Sequence, residues 1–291
     1  MKEKLFQMLL LDGSVDGCIE CFAQNWNVIA YKIPRNRVNE RIEDLMLNHA
    51  GVYFLFGAPD ENSMKAKAYI GQAGKRATGD ALIRRIKDHV KNDPDESYWT
   101  EAIAITTVDD TWGATEISFL EHTFYEMAID AGRYEVQNEN LPPSGNPRKE
   151  KEIDLKEAAD MAKYFLGLLG HRVLEPLLDD NRDIEPVQQS EAQVELHGEM
   201  NDGRGVGVQT SDGFVLKRGS VIASKEVDGL PDSARNNRKE IERLLDDKRV
   251  LKEDVLYRRP SPAAQVVSGS TVSGREFWKD KNGKTMNELD L

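Results

Sequence analysis

The sequence predicts an α+β protein with a small three-stranded antiparallel sheet flanked by helices. A helical connector and a second small α+β domain follow. Three observations carry this. Residues 52–56 (VYFLF) and 66–70 (AKAYI) are short apolar runs rich in β-branched and aromatic residues, joined by the polar stretch 58–65 with Pro59 and Asn62. That pattern reads as an antiparallel hairpin. Two segments with helical apolar spacing and a third strand come next. Past a proline-rich break and a charged helix, the pattern changes from about residue 191 to short alternating strands.

In chain order, residues 1–50 read as two or three short strands (5–11 and 28–33) and a helix over 37–48. Val38, Ile42, Leu45 and Met46 form an apolar stripe on that helix. This N-terminal extension completes or flanks the sheet. Gly71 and Gly74 follow the hairpin and are read as positions where the chain turns sharply. A helix is expected from about Asp80, a suitable N-cap, and on it Arg85 and His89 share one face. The cluster Asn92-Asp93-Pro94-Asp95 is a turn. The third strand lies in residues 101–108, with Ile103 and Ile105 on its core face. A helix over 113–131 places Ile117, Leu120 and Phe124 in register, and Gly132 suits its C′ position.

Residues 141–150 (LPPSGNPRKE) read as a domain exit, 154–178 as a charged helix and 179–190 as a linker. In the tail, strands are read in QVELHGE, GVGVQTSDG and FVLKRGSVIAS, with Asp212-Gly213 as the hairpin signal. Helices are expected at 232–247 and 262–267, with a strand-like piece near Val255. The expected organisation is therefore an extension (1–50), a first domain (51–145), a connector (146–190) and an accessory α+β domain (191–291).

Composition bounds the function. No apolar run is long enough to span a bilayer, and residues 1–17 turn acidic too soon for a signal peptide. A cytoplasmic location and no membrane partner are the resulting expectations. The formal net charge is −12, which opposes tight non-specific grip on nucleic acid. It is uneven: residues 204–284 hold 17 Lys and Arg against 12 Asp and Glu, a local excess of +5. The two cysteines, Cys18 and Cys21, are spaced as CxxC. With no second pair to complete a zinc site and no βαβ setting for a redox pair, they are read as reduced, partly buried thiols.

Gly51-Val52-Tyr53, Tyr69-Ile70-Gly71, Arg85 with His89 four residues on, Glu121 inside a helix and a later asparagine form an ordered series. Asn138 is the likelier match for that last residue, with Asn140 as the other candidate. In this order the chain resembles the GIY-YIG nuclease superfamily over roughly residues 51–140. The tail resembles an uncharacterised module often appended to such nucleases. The resemblance implies a metal-dependent DNA endonuclease with Tyr53, Tyr69, Arg85, His89 and Glu121 as catalytic residues. Gly71, Lys75 and Asn138 would position phosphate or substrate, and Glu121 would hold one Mg²⁺ or Mn²⁺.

The residue chemistry suits that reading. A phenol orients or deprotonates water once a cation lies near it. Arginine grips phosphate oxygens with a planar fork. One carboxylate is enough for a magnesium ion that keeps most of its waters. Glu121 lies beside an apolar stripe, where an uncompensated carboxylate is costly. Taken singly, the tyrosines are ordinary strand aromatics, and Arg85 and His89 a solvated helix face. Two other classes remain open: a non-cleaving nucleic-acid-binding protein, and a protein-interaction scaffold acting through the C-terminal domain. In that domain Lys217, Arg218, Arg235, Arg238, Arg258, Arg259, Arg275 and Trp278 are candidate phosphate contacts and a stacking surface.

Overall fold

Strand β4 (Gly51–Gly57) is buried at all seven positions. Such an unbroken apolar run belongs at the centre of a sheet covered on both faces. The computed structural model describes residues 3–40, 46–59, 65–74, 81–92, 98–178 and 194–291. The chain divides into two compact units, 1–61 with 65–175, and 62–64 with 176–291. It is α+β in both. Among the described residues there are six α-helices and two sheets, of seven and four strands. No described helix is long and apolar enough to cross a membrane.

In the first unit, β4 pairs antiparallel with β5 (Lys67–Ala73) and with β6 (Trp99–Thr107). This is the expected hairpin and third strand, but the sheet does not stop at three. β1 (Phe6–Leu10), β2 (Ile19–Ala23) and β3 (Val28–Pro34) form an antiparallel meander that joins through β3 to β6. A two-residue strand, β7 (Glu135–Val136), runs parallel to the start of β5. The order is β1-β2-β3-β6-β4-β5-β7. Residues 1–50, expected to complete or flank the sheet, extend it by three strands.

Side-chain alternation sends Val52, Phe54, Ile70, Ile103 and Ile105 to one face. There they pack on α2 (Ala114–Ala131) and α3 (Lys149–Leu168). Tyr53, Leu55, Ala102 and Ala104 go to the other face, with Leu82, Ile83 and Ile86 of α1 (Leu82–Asn92). Gly132 ends α2 at φ 62°, the left-handed C′ position expected of it.

Several expectations change. Gly71 lies inside β5 and not in a turn. In place of a helix over 37–48, the described flanks are 3₁₀ turns, Arg35–Arg37 and Met46–Asn48; residues 41–45 lie outside the described set. So do Asp80, the turn at 93–95 and the linker 179–190. The charged helix starts at Lys149 and ends at Leu168. Leu155, Ala159, Ala162 and Phe165 carry it into the core of the first unit, so it is no free connector. The free thiols of Cys18 and Cys21 face opposite sides of the sheet, each against a different core.

The second unit is an antiparallel sheet of order β11-β10-β9-β8. Its strands are β8 (Glu195–Met200), β9 (Gly203–Thr210), β10 (Gly213–Leu216) and β11 (Val255–Tyr257). α4 (Asp232–Ile241), α5 (Pro260–Ser268) and α6 (Gly274–Phe277) accompany it. The β9–β10 hairpin closes through Ser211-Asp212, and Gly213, at φ 140°, already pairs with Thr210.

Candidate active site

Tyr53 stands opposite Gly71 across the β4–β5 ladder. Its ring lies over that glycine, and a Cβ there would collide with the phenol oxygen and crowd the Tyr69 ring. Gly71 therefore acts as the floor beneath two phenols. The Tyr53 hydroxyl hydrogen-bonds His89 Nε2 at 2.8 Å. The rings of Tyr53, Tyr69 and His89 form a triangle with centroid separations of 6.2, 5.5 and 5.3 Å. Helix α1 presents Arg85 one turn before His89, so its guanidinium reaches the same phenol.

Burial pushes the Tyr53 hydroxyl well above its ordinary pKa; Tyr69 adds to this and Arg85 opposes it. Tyr53 is fully buried, whereas Tyr69 is partly exposed. Tyr53 is thus held neutral, a poor base by itself, and Tyr69 is the phenol that solvent and ligand reach. Arg85 is in turn held more firmly protonated by Tyr53.

Glu121 reaches this group by another route. Tyr69, Gly71 and Ala73 of β5 face α1, while Gln72 points to the side of α2. Gln72 Nε2–H donates to Glu121 Oε2 at 2.9 Å. The five expected residues therefore do not share one face. Four gather on the α1 side, and Glu121 comes from the α2 side, beyond the segment of β5 that β7 leaves unpaired. Burial raises the Glu121 pKa, against the opposing hydrogen bonds of Gln72 and the charge of Arg85. Between β5 and α1 lies a cleft of about 280 Å³ lined by Gln72, Ala73, Gly74, Ala81, Arg84, Arg85 and Asp88.

Asn138 does not point at this cleft. Its Oδ1 accepts from Ile70 N at 3.0 Å and its Nδ2 donates to Ile70 O at 2.7 Å. It pairs with the main chain of β5 as a further strand residue would, so it positions the strand and not a phosphate. Asn140 is exposed, and Lys75 lies outside the described residues.

No three His, Cys, Asp or Glu side chains among the described residues form a metal cage. Glu121 offers a single hard oxygen donor, buried and short of positive charge. That suits a largely hydrated magnesium-type ion and not a dehydrated site.

Residues 196–290 match a domain of unknown function, DUF4357. No curated protein and no solved structure matches the chain. The DUF4357 match covers about a third of the chain and does not include the site just described. Within it, two expected nucleic-acid contacts are core residues. Trp278 is fully buried, donates its Nε1–H to Pro260 O at 3.0 Å and packs edge-on to Phe277. It offers no stacking surface. Arg238 is 3% exposed and spends its guanidinium on Glu226, Ala223 O and Val266 O. Arg218, Arg258 and Arg259 are exposed.

Two further groups escaped the sequence reading. Gln72 was given no role; its place three residues after Tyr69, on the face opposite Gly71, was the available signal. His171 hydrogen-bonds Glu101 at 2.7 Å and Tyr134 at 3.1 Å and stacks on Phe56. Lys32 completes that cluster, 2.8 Å from Glu101.

Proposed function

We propose that this chain is a GIY-YIG-type, metal-dependent DNA endonuclease. The observation that carries the reading is the Tyr53–His89 hydrogen bond over Gly71, with Tyr69 and Arg85 against it. These residue types supply the chemistry that phosphodiester hydrolysis requires.

Arg85 holds phosphate oxygens with its planar fork and balances charge that grows in the transition state. Tyr69, the accessible phenol, orients the attacking water. Tyr53, neutral and buried, fixes His89 through its hydroxyl, and His89 is the group placed to take part in proton transfer. Gln72 aims the Glu121 carboxylate, the residue that would hold the cation. A bound Mg²⁺ or Mn²⁺ supplies charge neutralisation at the phosphate and the leaving oxygen. Gly71 keeps both phenols in place, and Asn138 locks the strand that carries Tyr69.

The test is nicking of supercoiled plasmid, and cleavage of single-stranded oligonucleotides, by the purified chain with and without magnesium. Magnesium-dependent cleavage that Glu121→Ala abolishes is the expected result. Cleavage that persists in excess EDTA, or that Glu121→Ala leaves unchanged, overturns the metal role. DNA binding without cleavage would move the chain to the non-cleaving class.

A further inference from the structure

The cleft between β5 and α1 offers an anion more than Arg85. Its helical wall is Ala81, Arg84, Arg85 and Asp88, the i, i+3, i+4, i+7 stripe of one helix face. Gln72, Ala73 and Gly74 form the opposite wall. Arg85 is half-buried and reaches inward to the Tyr53 phenol, whereas Arg84 is exposed. Successive residues leave an α-helix about 100° apart. The two guanidiniums therefore enter the cleft from different directions. That suits two separate anionic groups better than one group gripped by both.

Asp88 lies on the same stripe, four residues after Arg84 and three after Arg85, within side-chain reach of both positions. Its charge tempers the repulsion between the arginines and opposes any phosphate placed beyond them. At about 280 Å³ the cleft is at the lower end of the sizes that take small organic ligands. It has room for a short segment of one strand and not for a duplex. Successive phosphates of a single strand are a pair of anions held one nucleoside apart, which is the ligand this charge pattern fits.

We propose that Arg84 is a second phosphate-binding residue of the site, holding the phosphate next to the one that Arg85 grips. The substrate is then recognised as a strand with at least two successive phosphates. This assignment rests on the phosphate role given to Arg85 above.

Binding measured without metal separates it from the chemistry. Thymidylyl-thymidine carries one phosphodiester, and its 5′-phosphorylated form adds a second phosphate to the same bases and sugars. Calorimetric titration of each into the full chain in EDTA should show the 5′-phosphorylated form binding about tenfold more tightly, through one added charge-assisted contact. Arg84→Gln should remove most of that preference and leave the affinity for thymidylyl-thymidine within about twofold. Lys91→Gln takes the same charge from α1 outside the cleft lining and should keep the preference. Equal binding of the two probes by the wild type, or binding of neither, overturns the assignment. So does a preference that Arg84→Gln leaves intact, or one that Lys91→Gln removes equally. Magnesium-dependent cleavage without the preference would dismiss Arg84 and spare the nuclease reading. A preference that Arg84→Gln abolishes, in a chain that cleaves no DNA, would keep the phosphate pair and dismiss the nuclease.

Discussion

At the residue scale, a glycine and a carboxylate set the character of the candidate site. Spacing along the chain suggested that Tyr53, Tyr69, Arg85 and His89 stand together, as they do, but it did not disclose that Glu121 approaches from the other side of β5. The purpose of Gly71 was not legible, because it depends on the residue across the ladder. Gly71→Ala puts a methyl group against the Tyr53 phenol. Urea unfolding should show a loss of about 1–3 kcal/mol from overpacking, and the Tyr53–His89 contact should be disturbed. Glu121 has a raised pKa, so the folded state binds its proton more tightly than the unfolded chain does. Its contribution to stability is complete below the ordinary value of 4.5 and is lost as pH rises through the folded value. Glu121→Gln should therefore be at least as stable as the wild type at neutral pH, with the difference closing on acidification. The same variant should lose roughly two decades of cleavage rate, about 3 kcal/mol. A variant that unfolds more easily at pH 7 than the wild type would contradict the burial argument.

At the element scale, helices and strands with strong periodicity were legible, and their partners were not. β4, β5, β6 and α2 were read within a few residues of their observed ends. That residues 1–50 complete or flank that sheet was expected, but the register was not legible, since pairing between β3 and β6 bridges some seventy positions that no local pattern connects. Asn138 illustrates the same limit: its motif position was legible, but its two bonds to Ile70 were not. Asn138→Ala should cost about 1–2 kcal/mol and speed hydrogen exchange at the Ile70 amide more than at β4 amides. Unaltered exchange at Ile70 would leave Asn138 without its strand-holding role. The segment after α3 is tied to the sheet by His171 on Glu101. Burial tends to raise the Glu101 pKa, and the bonds from His171 and Lys32 overcome this and hold it at about 2. A lowered pKa gives stability that is present above 4.5 and lost as pH falls through about 2. Glu101→Gln should thus be less stable at neutral pH by roughly 2 kcal/mol, with the deficit shrinking in acid. A deficit of constant size across that range would show that ionisation is not what Glu101 contributes.

At the scale of the whole molecule, the distribution of charge is what would govern the encounter with the proposed DNA substrate. Net charge was legible from composition, and so was the contrast between residues 204–284, at +5, and the rest of the chain, at −17. The assignment of individual cations was not, because a sequence does not separate an arginine that spans a core from one that faces water. Arg238 is in the core and Trp278 gives no stacking surface, while the other candidate cations remain partly or fully exposed. Among these, Arg218 follows β10 and Arg258 with Arg259 follows β11. Because β10 and β11 are antiparallel, these cations stand at opposite ends of one strand pair. Replacing all three by glutamine in the full chain tests whether this surface meets DNA. Each phosphate contact contributes about 0.9 to the slope of log K against log salt on duplex DNA. The triple variant should therefore bind more weakly at low salt, with a slope shallower by about 2 to 3. Its cleavage rate at saturating DNA should be unchanged, since none of the three lies in the unit that carries Tyr53 and Glu121. An unaltered slope would remove nucleic acid from the account of this surface and turn it toward a protein partner. A fall in the saturated rate would instead give the second unit a part in the chemistry itself.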